Sequence, residues 1–366
     1  MTRGAAAAPR PTAHPNRPGT VAEGEPHCDA GGRSGDVRRT LERCRSLVRP
    51  VLAEAVGRLH PWVGEMAAYS FGWCEAGGAP ASASGGKGVR QALAVLGAEA
   101  AGAPGRAGVA AAVAVELVHT FSLLHDDIMD GDAERRGRPT VWKAYGTGPA
   151  VLAGDALFAL AVETLATQPA GAGAVRTLSA TLGDLLRGQA DDLLFARRPW
   201  TGPDRVRPGE YRAMAEHKTG ALLGCSAALG AVLGGAGPET AATLDRAGRH
   251  LGVAFQIIDD VLGIWGDPQV TGKPVHGDLR ERKKTLPVLL ALGSPGGGRI
   301  AALLESGDAP GTAAALIEEA GGRSGALAEA RRHITAAETA LAGVPLAPEA
   351  AGELRSLLGH LVRRDV

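Results

Sequence analysis

The sequence predicts an all-α protein, and three observations predict it. Ala, Gly and Arg are abundant, aromatics make up only 4% of 366 residues, and runs of β-branched residues are few, a composition that favours helix over sheet. Apolar residues such as Leu41, Leu47, Val51 and Val56 recur with helical periodicity. Breaks containing Gly and Pro cut the chain into segments of helix length.

The elements follow in order. Residues 1–36 are rich in Pro, Ala and Gly without apolar periodicity, which reads as a disordered tail. Residues 37–366 read as one domain, opening with one or two helices from Val37 to Tyr69. Gly77 to Gly86 reads as a loop but not as a phosphate-binding P-loop. Ala81 stands where that motif needs its first Gly, and Gly88 follows Lys87 where Ser or Thr is required. Helices are then predicted at about 88–101, 107–130, 149–166, 171–195, 208–235, 239–266 and 283–293, with shorter ones at about 298–305, 311–320, 323–342 and 347–363. No internal repeat is evident.

Composition excludes several function classes. Formal net charge is zero, which gives no electrostatic case for nucleic acid, and the basic run Arg280 to Lys284 is too short to supply one. Cys28, Cys44, Cys74 and Cys225 have neither metal-ligand nor redox spacing, so a reducing cytoplasm is the expected setting. The N-terminus lacks the apolar core of a signal peptide. Residues Thr219 to Pro238 carry no charge and could span a bilayer by length. They are heavy in Gly and Ala, and Lys218 bounds them, so a buried core helix is expected.

The chemistry gathers in two stretches. Glu116 to Trp142 reads ELVHTFSLLHDDIMDGDAERRGRPTVW, an apolar helix ending in Asp126, Asp127 and Asp130. Residues four apart share a helix face, so Asp126 and Asp130 point the same way and Asp127 lies about 100° round. Hard oxygen ligands one turn apart suit Mg²⁺, which takes one or two carboxylates and keeps positions for substrate phosphates. Arg135 and Arg136 follow, with guanidinium forks that match phosphate oxygens. A lone acidic motif of this kind is more often a solvated helix face. A second stretch, LGVAFQIIDDVLGIW from Leu251 to Trp265, repeats the pattern with Asp259 and Asp260 and is again trailed by basic residues. Lysines are only six of the 39 basic residues, at 87, 143, 218, 273, 283 and 284.

As a set, these motifs resemble the trans-polyprenyl diphosphate synthases, most like bacterial geranylgeranyl diphosphate synthases. Beside the two acidic stretches, GGKGVR at 85–90, RRGRPT at 135–140, GDALF at 154–158, GQADDL at 188–193, HKTGAL at 217–222 and GKPVHGDLRERKKTLP at 272–287 match in order and approximate spacing. The resemblance covers roughly residues 40–365. It implies an isoprenoid-synthase helical bundle around a central cavity, a homodimer, and head-to-tail condensation of isopentenyl diphosphate with an allylic diphosphate (dimethylallyl, geranyl or farnesyl). By resemblance, Asp126, Asp130 and Asp259 would ligate Mg²⁺, with Asp127 and Asp260 assisting. Arg135, Lys218 and Lys273 would hold the allylic diphosphate. Lys87, Arg90, His119 and Arg136 would hold isopentenyl diphosphate, with Lys283 nearby. Lys218, Thr219 and Gln256 would line the reaction centre. Bacterial relatives carried as cargo by protein shells have such tails, so residues 1–36 are either an inert extension or a docking element for a shell partner.

Two departures from the family pattern stand out. The second acidic motif is DDVLG, with Gly263 in place of the last carboxylate, and Gly88 and Gln91 replace the common Arg and Pro of the glycine–lysine segment. Product length has one clue. Phe121 lies five residues before Asp126, about 7.5 Å deeper along the helix, where a bulky side chain acts as a floor, while Ser122 is small. That pattern resembles geranylgeranyl (C20) synthases. The alternatives are a farnesyl (C15) synthase or a non-catalytic, shell-associated homologue.

Overall fold

The computed structural model describes Met1, residues 30–81, Gly86, 88–268 and 275–362. Among these, regular structure is helical apart from one short hairpin. Helices α1 (Ala30–Gly57), α2 (Pro61–Ser70) and α3 (Val89–Ala100) lead to α4 (Val109–Asp130). After the hairpin come α5 (Val141–Tyr145), α6 (Thr147–Ala166), α7 (Gly171–Arg197), α8 (Pro208–Ala215), α9 (Ala221–Leu233) and α10 (Pro238–Trp265). The chain ends in α11 (Gly277–Arg280), α12 (Leu286–Leu292), α13 (Gly297–Ser306), α14 (Pro310–Glu319), α15 (Gly322–Ala342) and α16 (Pro348–Val362).

Helix α9 lies at the centre, with nearly every residue buried against α3, α4, α7 and α10. Small residues make that possible. A Cβ on Gly230 would fall 1.9 Å from the Ala94 carbonyl oxygen of α3, and one on Gly97 would fall 2.3 Å from that of Ala227. Backbones therefore touch along the α3–α9 seam, and the uncharged stretch 219–238 is spent on helix packing. Two other helical stretches, Gly105–Asp130 and Thr147–Ala166, are long and apolar enough to cross a membrane by length and composition. The first belongs to the core, with Val113, Val115, Leu117 and Val118 fully buried.

Four expectations change. Helix α1 begins at Ala30, inside the segment read as a tail, and residues 2–29 lie outside the described residues. The stretch 208–235 is interrupted by a π-helical turn, Glu216–Gly220, between α8 and α9. The helix placed at 283–293 starts only at Leu286, after Arg282 adopts a left-handed φ of 58°. The hairpin β1 (Glu134–Arg135) and β2 (Arg138–Pro139) was not anticipated, nor was α5. Its turn residues Arg136 and Gly137 both have positive φ, 54° and 72°, the signature of a tight type I′ turn.

Candidate active site

The C-terminal turn of α4 brings the first acidic cluster to the surface of the core. Asp126 is half-buried, Asp127 is buried and Asp130 is exposed. Burial pushes the Asp126 carboxyl up to about 6; Lys218 opposes that rise, and the charges of Asp130 and Asp192 add to it. Asp130 is raised for the same reasons, burial first, with Lys218 and Lys283 pulling against Asp192. Carboxylates held together against their own repulsion, with one lysine between them, form a hard-oxygen donor set that a divalent cation would relieve. Among the described residues, no group of three or more His, Cys, Asp or Glu side chains could hold a metal ion by itself. The arrangement thus fits a cation shared with a phosphate ligand rather than one enclosed by protein.

Lys218 is held in place from two sides. Its Nζ donates to Asp192 Oδ2 at 2.5 Å, from GQADDL on α7. Its backbone sits in the π turn, and a Cβ on Gly188 would lie 2.3 Å from Lys218 N. On the far side, a Cβ on Gly252 of α10 would lie 2.3 Å from Gly220 Cα. Two glycines therefore clamp the turn that carries Lys218 and Thr219. π turns inserted in α-helices concentrate at functional sites because the extra residue re-aims side chains.

A hydrogen-bonded chain runs from that turn into the core. Thr219 Oγ1 donates to Gln256 Oε1 at 2.7 Å, and Gln256 Nε2 donates to Asp260 Oδ1 at 3.0 Å. Asp260 Oδ2 accepts from Tyr211 Oη at 2.5 Å and from the Leu286 amide at 3.1 Å. Both oxygens of Asp260 are thus committed inside the core, and burial, then Asp278, push its carboxyl up to about 7. This arrangement positions Gln256. Asp127 is likewise engaged: its Oδ1 accepts from Arg135 Nε at 2.7 Å and Nη2 at 2.5 Å. Arg135 is therefore oriented by Asp127.

A second cationic group lies beside α4, two to three turns back, with Arg90 from α3 and Arg136 from the hairpin. Arg90 Nη1 and His119 Nε2 are 3.3 Å apart, and the Nε of Arg90 is buried without a partner. His119 is held well below its ordinary range, by burial first and then by Arg90, Arg136 and Arg135, so it is neutral and able to accept or donate one hydrogen bond. Arg136, on the tip of the hairpin, extends its guanidinium to within 3.1 Å of where a Cβ on Gly86 would sit. Glu116 is raised by burial and faces Arg90, Gln91, Arg136 and Arg45. Lys87 and Lys273 lie outside the described residues. Lys283 pairs with Glu281 at 2.6 Å and stands 3.9 Å from Asp278, close enough to Asp130 for the two charges to interact.

Phe121 faces α6. Its ring packs against His125 and against Phe158 of α6, at centroid distances of 4.8 and 5.6 Å, and five residues of helix put it about 140° from Asp126. Ser122 shares the Asp126 face and donates to the His119 carbonyl at 2.9 Å. Sequence reasoning also missed Asp192, Tyr211, Arg45 and Asp278. Asp192 and Asp278 lay within matched motifs without a role; Tyr211 and Arg45 gave no signal, because their parts depend on which helices meet. Two surface clefts, one between Arg205–Pro208 and Leu289–Ser294 and one along α15, lie away from these residues.

Known proteins resemble this chain in sequence and fold. Residues 74–318 match the polyprenyl synthetase family. A (2E,6E)-farnesyl diphosphate synthase of Mycobacterium tuberculosis (strain ATCC 25618 / H37Rv) is 44% identical over 343 residues, covering 90% of this chain and 94% of that protein. A geranylgeranyl diphosphate synthase of the same strain is 44% identical over 319 residues, covering 84% and 90%. The crystal structure of a polyprenyl synthetase from Streptomyces coelicolor A3(2) superposes with a TM-score of 0.84 at 48% identity, covering 89% of this chain and 99% of that one. Helix order, the isoprenoid-synthase fold and the matched sequence agree over most of the length, and the chain belongs to the polyprenyl synthetase family.

Proposed function

We propose that this chain condenses isopentenyl diphosphate with an allylic diphosphate, head to tail, and that its main product is geranylgeranyl diphosphate. Prenyl chain elongation is the chemistry of the family; the substrate assignment to residues and the C20 product are our reading. The observation that carries it is the presence of two cationic groups of different character. Lys218 stands among Asp126, Asp130 and Asp192, as a metal-bridged diphosphate requires. Arg90, Arg136 and His119 stand around Glu116, as a diphosphate bound without metal requires. An enzyme that only ionised one diphosphate would need the first alone.

A divalent cation, Mg²⁺ in the family pattern, supplies charge neutralisation on the allylic diphosphate as it leaves. Asp126, Asp130 and Asp259 would hold it. Lys218, fixed by Asp192, and Arg135, fixed by Asp127, present preorganised donors to the same diphosphate. The C–O bond breaks with its electron pair staying on diphosphate; the isopentenyl double bond attacks the allylic carbon, and the proton it sheds passes to the departing diphosphate. Thr219 donates its hydroxyl hydrogen bond to Gln256, which leaves the hydroxyl lone pairs as the electron-rich surface facing a carbocation. Arg90, Arg136 and neutral His119 hold isopentenyl diphosphate.

The apolar residues Val151, Leu152 and Phe158 on α6 and Leu186 and Leu194 on α7 are exposed. Their exposure supports a homodimer formed through these helices, and we read the enzyme as cytoplasmic. A farnesyl product is the second reading, favoured by the M. tuberculosis relative of that name. Incubation with Mg²⁺, labelled isopentenyl diphosphate and each allylic diphosphate from C5 to C15, followed by chromatography of the dephosphorylated products, tests both. A dominant C20 alcohol supports the proposal and a C15 stop replaces it. No incorporation by folded protein overturns the synthase reading.

A further inference from the structure

Three arginines from three elements meet around Gly86. Arg45 of α1 donates Nη2 to the Gly86 carbonyl at 2.9 Å. Arg136 approaches the same residue from the hairpin, 3.1 Å from the position of a Cβ. Arg90, four residues on, interacts with Arg136 and with Glu116. Glu116 in turn feels all three arginines. Arg45 has one further carboxylate partner, Glu42, at 3.2 Å, and that side chain is 66% exposed, so its charge is largely screened. Glu116 is half-buried and Asp259 also acts on Arg90, so two carboxylates face three guanidinium groups and the surplus is cationic. Arg45 and Arg90 are half-buried and Arg136 is exposed, and clustered guanidinium groups in surplus over carboxylates suit an anion.

Arg45 packs over Gly88, whose φ is +71° and where a Cβ would be in ordinary van der Waals contact with the Arg45 Nε and Nη2 at 3.8 Å. Position 88 brings no charge of its own, and the guanidinium beside it comes from α1. We propose that Arg45 is a binding residue for isopentenyl diphosphate, completing with Arg90 and Arg136 a three-arginine pocket in which a residue from α1 supplies the charge that position 88 lacks. The inference rests on the functional reading above.

The test is steady-state kinetics of the full chain with each substrate varied in turn, together with calorimetric binding of isopentenyl diphosphate to Arg45→Gln and Arg45→Lys. Loss of a charge-assisted hydrogen bond predicts a KM for isopentenyl diphosphate raised about tenfold or more in Arg45→Gln, with kcat and the allylic KM changed much less. Arg45→Lys keeps the charge and recovers part of the loss. An unchanged KM for isopentenyl diphosphate overturns the inference, as does an equal rise in both KM values, which would make Arg45 a structural tie to Gly86. If the Gln variant is less stable, calorimetry on folded protein well below its melting temperature still separates weakened binding from lost structure. Wild-type protein that neither binds nor incorporates isopentenyl diphosphate would instead overturn the proposed function, independently of Arg45.

Discussion

The carboxylate of Asp278 occupies the space that a side chain at residue 263 would need. A Cβ on Gly263 would lie 2.0 Å from Asp278 Oδ2 and 2.4 Å from its Cγ. Gly263 is one turn beyond Asp259 on α10, so the two share a helix face. The gap in the second acidic motif is thus filled by an acid brought in from α11. Restoring the family pattern by Gly263→Asp should therefore cost stability, about 2–4 kcal/mol from overpacking and from a second buried charge. Gly263→Asp combined with Asp278→Gly should regain most of it. Urea melts of the three variants check this, and a fully stable Gly263→Asp protein would contradict the placement of Asp278.

The same sensitivity applies at Gly188. Its α-carbon faces the Lys218 backbone so closely that even a methyl group would force the π turn outward. Gly188→Ala is expected to lower kcat by a factor of about 100, because shifts of an ångström in a positioning group carry that cost. The fold should survive, since α7 and α9 touch over many other residues. Circular dichroism and the allylic KM separate the two effects: a native spectrum with a raised allylic KM and a low kcat is the expected pattern.

These two glycines mark where the sequence stopped being readable. Helices α3, α4, α6 and α7 and the two acidic motifs were legible, because periodicity and residue order carry them. The pairing of Lys218 with Asp192 was not, since 26 residues separate them and only the α7–π-turn contact joins them. The inward contacts of Asp260 were hidden for a related reason. Its neighbour Asp259 looks equivalent in sequence, yet adjacent residues on a helix point about 100° apart, and Tyr211 and Leu286 claim the one that faces inward. The hairpin escaped because its turn uses Arg136, a non-glycine residue at positive φ, where Asn-Gly or Asp-Gly is the usual signal. The left-handed Arg136 is what carries its guanidinium to Gly86.

Phe121 and Ser122 make opposite predictions for product length. Ser122 shares the face of Asp126, where the growing chain begins, so Ser122→Phe should shorten the product below that of the wild type. Phe121 is turned toward α6 and packed at a tilt against Phe158. It limits length only if the chain bends that way. In that case Phe121→Ala and Phe158→Ala should each lengthen the product, and the double variant should add little beyond the longer of the two, because the rings form one barrier. Product chromatography decides. Longer products from neither single variant would leave Phe121 as packing and move the floor to the Ser122 side.

Asp260 gives a pH signature that belongs to folding. Its carboxyl is pushed up to about 7 from an ordinary value of 3.8, chiefly by burial and then by Asp278, with Tyr211, Gln256 and the Leu286 amide pulling the other way. The folded state therefore binds this proton more tightly than the unfolded chain. Stability from the protonated form is fully present below about pH 4, falls as pH rises, and is gone above about pH 7, up to about 4 kcal/mol in all. Asp126, raised to about 6, adds to the same slope, so the wild type alone cannot assign it. Asp260→Asn removes one titrating group while keeping the shape. In chelator, to keep bound cations from reshaping the titration, the melting temperature of the wild type should fall between pH 5 and pH 8 by more than that of the variant. Parallel curves would mean that Asp260 is ionised in the core at neutral pH, stabilised by its three donors alone.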